Sequence, residues 1–169
     1  MNSPSMNPNV AALTFRYEVQ SSDIDALTHM VMGTGFFYPH EVTVAKELVE
    51  ERLTRGKASG YEFVIAEQSG QLLGYTCFGE IACTQGSYDL YWIVVDKTQQ
   101  KRGIGTALLQ ATEAQVRAMG GRRIYIETSA RPQYEPTRAF YLRAGYHQAA
   151  LLPEFYGPDD GKLIYERVL

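Results

Sequence analysis

Apolar residues recur along this chain with two periods, one near two residues and one near 3.6, and the switches between them mark its elements. Ala12 to Val19 alternates and predicts a first strand. Ser22 or Asp23 then caps a helix carrying Ile24, Leu27 and Val31, which Gly33 and Gly35 stop. Glu41 to Leu53 predicts a second helix, with Val44, Leu48 and Leu53 among charged neighbours. Two strands, Tyr61 to Ala66 and Leu72 to Phe78, flank a polar turn at Gln68, Ser69 and Gly70, and Leu90 to Val95 forms a third β segment. Gly103 to Met119 is strongly amphipathic, with Leu108, Leu109, Thr112 and Val116 on one side and Gly120 and Gly121 past its end. A strand at Arg123 to Thr128 follows. Pro136 opens a further helix that ends at Gly145, and strands near His147 to Leu152 and at Lys162 to Val168 close the chain.

Strand, two helices, three strands, helix, strand, helix and two strands predict an α/β protein with one mixed sheet covered by helices. A length of 169 residues supplies one sizeable core, so residues 11–169 are expected to form a single domain behind a loose polar terminus at 1–10. A net charge of −3 without a basic stripe argues against nucleic acid as a partner. No run approaches the roughly 18 apolar residues of a membrane span, and the first residues lack a secretory layout, so the expected compartment is the cytoplasm. Cys77 and Cys83 are expected as reduced thiols. The scattered His29, His40 and His147 predict no metal site.

The segment from Ile93 to Leu109 carries the most chemistry: a hydrophobic strand runs through a polar turn into Gly103-Ile104-Gly105 and a helix. N–H groups in the first turn of a helix lack internal partners, and glycines remove the β-carbons that would hold an anion away from them. Lys101 and Arg102 add positive charge at the rim. Leu108 stands where a Rossmann fingerprint needs its third glycine, and the Gly-Lys-Ser/Thr of a Walker loop is missing. A plain glycine turn without ligand is the competing reading.

Gln100-Lys101-Arg102-Gly103-Ile104-Gly105 resembles, in register, the Gln/Arg-x-x-Gly-x-Gly/Ala motif of the GNAT superfamily of N-acetyltransferases. The resemblance runs from about Thr14 to the end of the chain. It implies the GNAT fold, a central, mostly antiparallel sheet of about seven strands flanked by four helices. It further implies acetyl-CoA as acyl-donor cosubstrate, with the amides of Gln100, Lys101, Arg102, Gly103, Ile104, Gly105 and Thr106 around its pyrophosphate and Val94 and Val95 against its pantetheine arm.

A second block, Pro136 to Tyr146, looks like the family's helix ending in Phe-Tyr-x-x-x-Gly-Phe/Tyr, and that resemblance puts Tyr141 at the position of the usual general acid. The departing CoA thiolate needs a proton, which a phenol can supply; a packing aromatic is the competing reading. A base must also relieve the acceptor ammonium of its proton. Glu127 is the first candidate, because a carboxylate on a covered strand needs a partner or a cleft, and it is similar to the strand glutamate of the bacterial ribosomal-protein-alanine N-acetyltransferases. Its competing reading is a solvated strand-end carboxylate or an ion pair with Arg122 or Arg131, and Glu80 is the reserve base, with a solvated carboxylate in a connecting turn as its own competing reading. Two additional residues before Tyr141, and Tyr134 where those enzymes often carry Asn, depart from that pattern.

On the acceptor side, Phe36 and Phe37 either wall a pocket or staple the second helix, and one of Tyr91 and Trp92 faces a cleft while the other faces the core. The stretch Pro153 to Gly161 reads as a hairpin loop, in which Asp159 and Asp160 would favour a cationic acceptor. The expected activity is acyl transfer from CoA to a primary amine, a small molecule or a protein N-terminus, by direct attack in a ternary complex. Longer acyl donors and a non-catalytic acyl-CoA sensor are the alternatives, and a homodimer is the commonest assembly for such a chain.

Overall fold

The computed structural model describes residues 13–169, so the expectations for residues 1–10 and for Ala12 lie outside it. Its elements are β1 (Thr14–Arg16), α1 (Asp23–Gly33), α2 (Pro39–Arg55), β2 (Glu62–Gln68), β3 (Gln71–Glu80), β4 (Ser87–Val95), α3 (Ile104–Ala118), β5 (Arg123–Ser129), α4 (Glu135–Arg143), β6 (His147–Gly157) and β7 (Asp160–Val168). The strands form one seven-stranded sheet in the order β1-β2-β3-β4-β5-β7-β6. β4 and β5 pair in parallel, and β1/β2, β2/β3, β5/β7 and β6/β7 are antiparallel. Seven strands and four helices in this order match the pattern read from the sequence. By internal packing the chain divides into two compact units, residues up to Phe78 with Trp92–Ala114, and Gly79–Tyr91 with Gln115–Leu169.

In the first unit, Leu27, Met30 and Val31 of α1 and Ala45 and Val49 of α2 bury against Phe63, Ile65, Tyr75, Cys77 and Val94. The buried stripe of α2 is therefore Ala45, Val49 and Arg52, and Val44, expected inside, is exposed. Arg52 is tolerated there because it donates to the Tyr61 carbonyl at 3.0 Å and pairs with Glu62 at 3.1 Å and Glu18 at 3.2 Å. Asp23 does not cap α1 from its end. It takes two bonds from Arg16, at 2.7 and 2.9 Å, and Arg16 also pairs with Glu67, so one guanidinium ties three-residue β1 to α1 and β2. The β2–β3 turn is made by Ser69 and Gly70, both at positive φ, as a tight two-residue hairpin demands.

Alternate residues of these strands face α3. Leu108, Leu109 and Thr112 are fully buried, and Thr112 Oγ1 lies 2.7 Å from Thr76 Oγ1 while donating to the Leu108 carbonyl. That closes the hydrogen bonds of two hydroxyls that would otherwise be desolvated without partners. Gly74 is required by close approach: a β-carbon there would stand 2.7 Å from the Val94 carbonyl and 2.9 Å from Leu108 Cδ1.

In the second unit, Tyr88, Leu90, Val116, Ile124, Ile126, Leu163, Tyr165, Tyr141 and Tyr146 are buried. The ladder pairs Tyr88 with Ile124 and Leu90 with Ile126, and β5 with β7 from Arg123↔Val168 to Ser129↔Lys162. Pro136 occupies the second position of α4, which starts one residue earlier than expected, at Glu135. The loop expected at 153–161 is corrected: β6 continues to Gly157, and only Pro158 and Asp159 separate it from β7. An irregularity in β6 between Leu152 and Gly157, with Glu154 at positive φ, takes up the extra residues that made this stretch look like loop.

Candidate active site

In the first unit, β4 ends at Val95, and the Asp96 side chain caps a short 3₁₀ turn by accepting from Thr98 N at 2.8 Å. Beyond it Lys101 and Gly103 both adopt left-handed backbone, φ 64° and 78°, before α3 begins at Ile104. A lysine held there without a glycine's freedom is strained, and alternating left-handed residues turn successive N–H groups to one side as an anion-binding nest does. The Ala107 N–H is the first to find a carbonyl one turn back, that of Gly103. The N–H groups of Ile104, Gly105 and Thr106 therefore precede the helix's internal bonding. Arg102 donates to the Gln99 side chain, which fixes its guanidinium beside the loop. Val94 has its side chain in the core, so only its backbone is available to a ligand; Val95 is half-buried.

The same unit holds an open cavity of about 790 Å³, lined by Arg16, Asp23, His29, Glu67 and Lys97 among others. None of the candidate catalytic or cofactor-binding residues read from the sequence lines it. Phe37 packs its ring 4.8 Å from Trp92, which assigns Phe37 and Trp92 to the core and leaves Phe36 and Tyr91 exposed. Tyr38 stacks on His40 at 5.7 Å, and Glu41 accepts from the Tyr38 N–H at 2.8 Å, closing the start of α2.

In the second unit, Glu127 lies on β5 one residue past Ile126, where the pairing with β4 stops. Its carboxylate is 48% exposed and accepts from Lys162 Nζ at 3.0 Å. The ion pair expected with Arg122 or Arg131 is thus made by neither: Arg122 donates to the Gln85 carbonyl, and Arg131 pairs with Asp160 at 3.2 Å. Asp160 also accepts from Ser129 Oγ at 2.5 Å, so its charge is engaged. Asp89 shares the face of Glu127, because it stands opposite Tyr125, two residues before Glu127. Burial holds the Asp89 carboxyl above its usual range, the Glu127 charge pushes the same way, and Lys162 opposes them. Sequence reasoning missed both Asp89 and Lys162. Glu80, the reserve base, ends β3 and is exposed.

Tyr141 lies on the other side of β5 and β7. Its ring packs 6.1 Å from Tyr165, whose ladder partner is the buried Ile126, and against Phe140 and Tyr146. The residue is 4% exposed and its hydroxyl makes no hydrogen bond among the described residues. Burial raises the Tyr141 phenol well above its ordinary range and keeps it protonated. Glu127 and Tyr141 therefore lie on opposite faces of the β5–β7 segment. Ahead of α4, Pro132–Tyr134 forms a 3₁₀ turn, with Arg131 over the Tyr134 ring at 5.6 Å.

Among the described residues no three His, Cys, Asp or Glu side chains gather as metal ligands, and no helix is long and apolar enough to cross a membrane. Cys77 and Cys83 are free thiols.

The family described as "Acetyltransferase (GNAT) family" matches residues 29–146. A solved structure from Desulfovibrio desulfuricans, assigned to the GNAT family of acetyltransferases, is 44% identical, covers 93% of this chain and 99% of its own, and superposes with a TM-score of 0.91. An aminoglycoside 6′-N-acetyltransferase complexed with coenzyme A shares the fold at 22% identity and a TM-score of 0.74, over 92% of this chain and 96% of its own. The ribosomal-protein-S18-alanine N-acetyltransferase of Escherichia coli does so at 18% and 0.72, over 92% and 93%. No curated protein matches the chain. Strand order, loop and helix, and the 44% identical relative together establish that this chain belongs to the GNAT family of acetyltransferases.

Proposed function

We propose that this acetyltransferase moves an acyl group, acetyl first, from acyl-CoA to a primary amine by direct attack in a ternary complex. The left-handed backbone at Lys101 and Gly103, placed directly before the open amides of α3, carries the reading. Such a loop suits a pyrophosphate, and the solved relative with coenzyme A bound supports CoA as its source. Residues 100–106 would hold the pyrophosphate, and the backbone at Val94 and Val95 the pantetheine arm. In the reaction the acceptor nitrogen bonds to the thioester carbon, the C–S bond breaks, Glu127 takes the ammonium proton, and Tyr141 gives a hydrogen bond or proton to the thiolate sulfur. Cys77 lacks the setting of a nucleophile, being buried with its thiol pushed well up by that burial.

The test pairs CoA-induced thermal stabilisation with release of free CoA thiol from acetyl-CoA in the presence of spermidine, kanamycin, free amino acids and alanyl peptides. Stabilisation together with amine-dependent thiol release is expected. Stabilisation without release for any amine would overturn transfer and leave a CoA sensor. No stabilisation at all would remove the loop from the reading.

A further inference from the structure

We infer that Lys162 is a positioning residue that holds the Glu127 carboxylate for proton transfer; this rests on the reading of Glu127 as the base. Lys162 stands at the start of β7 opposite Ser129, and its stem runs along the sheet until Nζ lies 3.0 Å from Glu127 Oε2. The side chain is only 11% exposed, an expensive place for an ammonium without a partner. The Phe155 ring of β6 covers it from another side, 3.8 Å from Nζ, so the charge is confined between a carboxylate and an aromatic face.

Glu127 needs such a restraint. It lies past the last rung between β4 and β5, is about half exposed, and accepts no other hydrogen bond among the described residues. Asp89 lies on the same face of β4, and its carboxyl senses both the Glu127 charge and Lys162. With Oε2 held by the lysine, Oε1 is left to accept a proton from the acceptor amine. The pair is not needed to join β5 to β7, because the ladder already joins them from Arg123↔Val168 through Ser129↔Lys162. An ion pair with one half-exposed partner adds little stability, so positioning and folding are separable by experiment.

The experiment is a double-mutant cycle on thiol release from acetyl-CoA, using whichever of spermidine, kanamycin and an alanyl peptide is turned over fastest. Lys162→Met is expected to lower kcat by about tenfold to a hundredfold, the scale of a displaced catalytic group, with KM for acetyl-CoA within about twofold of the parent. Lys162→Arg should recover most of the loss. In a Glu127→Gln background, Lys162→Met should cost nothing more, because there is no base left to position. Parental kcat in Lys162→Met, or the same loss on top of Glu127→Gln, overturns the proposal. Should Lys162→Met not fold, Phe155→Ala, at an exposed ring, gives the same comparison: a severalfold loss that disappears beside Glu127→Gln supports positioning, and an unchanged rate overturns it. If Glu127→Gln itself keeps parental turnover, the base assignment fails first, and the lysine proposal with it.

Discussion

The loop after β4 and the charged cluster around Glu127 are built in opposite ways. The loop spans seven consecutive residues, from Gln100 to Thr106, and the chemistry proposed for it is backbone chemistry: amides next to two left-handed residues and the first turn of a helix. The cluster draws single side chains from β4, β5, β7 and β6, namely Asp89, Glu127, Lys162 and Phe155, brought together by strand register. A backbone site is as robust as its turn. A side-chain site shifts when any of its strands slips or any partner charge changes.

The largest effects should fall on the cluster and its opposite face. Glu127→Gln is expected to lower kcat by about 10² to 10⁴ and to remove the acidic limb of the kcat/KM profile, while CoA affinity holds. Tyr141→Phe should fall in the same range if the phenol serves the thiolate. Its alkaline limb should stay where it was, since burial keeps the Tyr141 hydroxyl protonated beyond the assay range. A disappearing alkaline limb in Tyr141→Phe would show that the phenol titrates and that its packed environment opens during turnover.

Next in size is the loop. Gly103→Val forces a β-branched residue to φ near 78°, at a cost of about 1–2 kcal/mol, and should weaken CoA binding by roughly tenfold or more. Lys101→Ala and Arg102→Ala should weaken it only severalfold, and more at low salt than at high salt. Calorimetric titration with CoA at two ionic strengths checks both. A larger loss from the side chains than from Gly103→Val would reverse the comparison, making the loop a charge site instead of a backbone site.

The smallest effect concerns Asp89. A carboxyl raised in the folded state favours the fold while protonated, and that contribution is lost as pH rises through the folded value. Asp89→Asn should therefore melt higher than the parent at pH 7, by about 2–4 °C, and the gain should vanish on acidification below the ordinary carboxyl range. Equal melting at pH 7 would mean that Lys162 already compensates Asp89 in full.

The sequence by itself determined the order of elements, the strand-to-helix loop and the helix that carries Tyr141, because each is encoded locally in periodicity, glycine placement and contiguous motif. It also pointed to Glu127, though not to what Glu127 touches. The partner of Glu127 is Lys162, 35 residues away, and not the nearer Arg122 or Arg131, because antiparallel register brings β7 alongside β5. Register likewise set Asp89 beside Glu127 and put Tyr141 on the opposite face. The burial of Ala45 in place of Val44, and the extension of β6 through Glu154, were decided in the same way, by packing between elements far apart in the chain. Local rules read one segment at a time; which charges meet is fixed only when the strands are aligned.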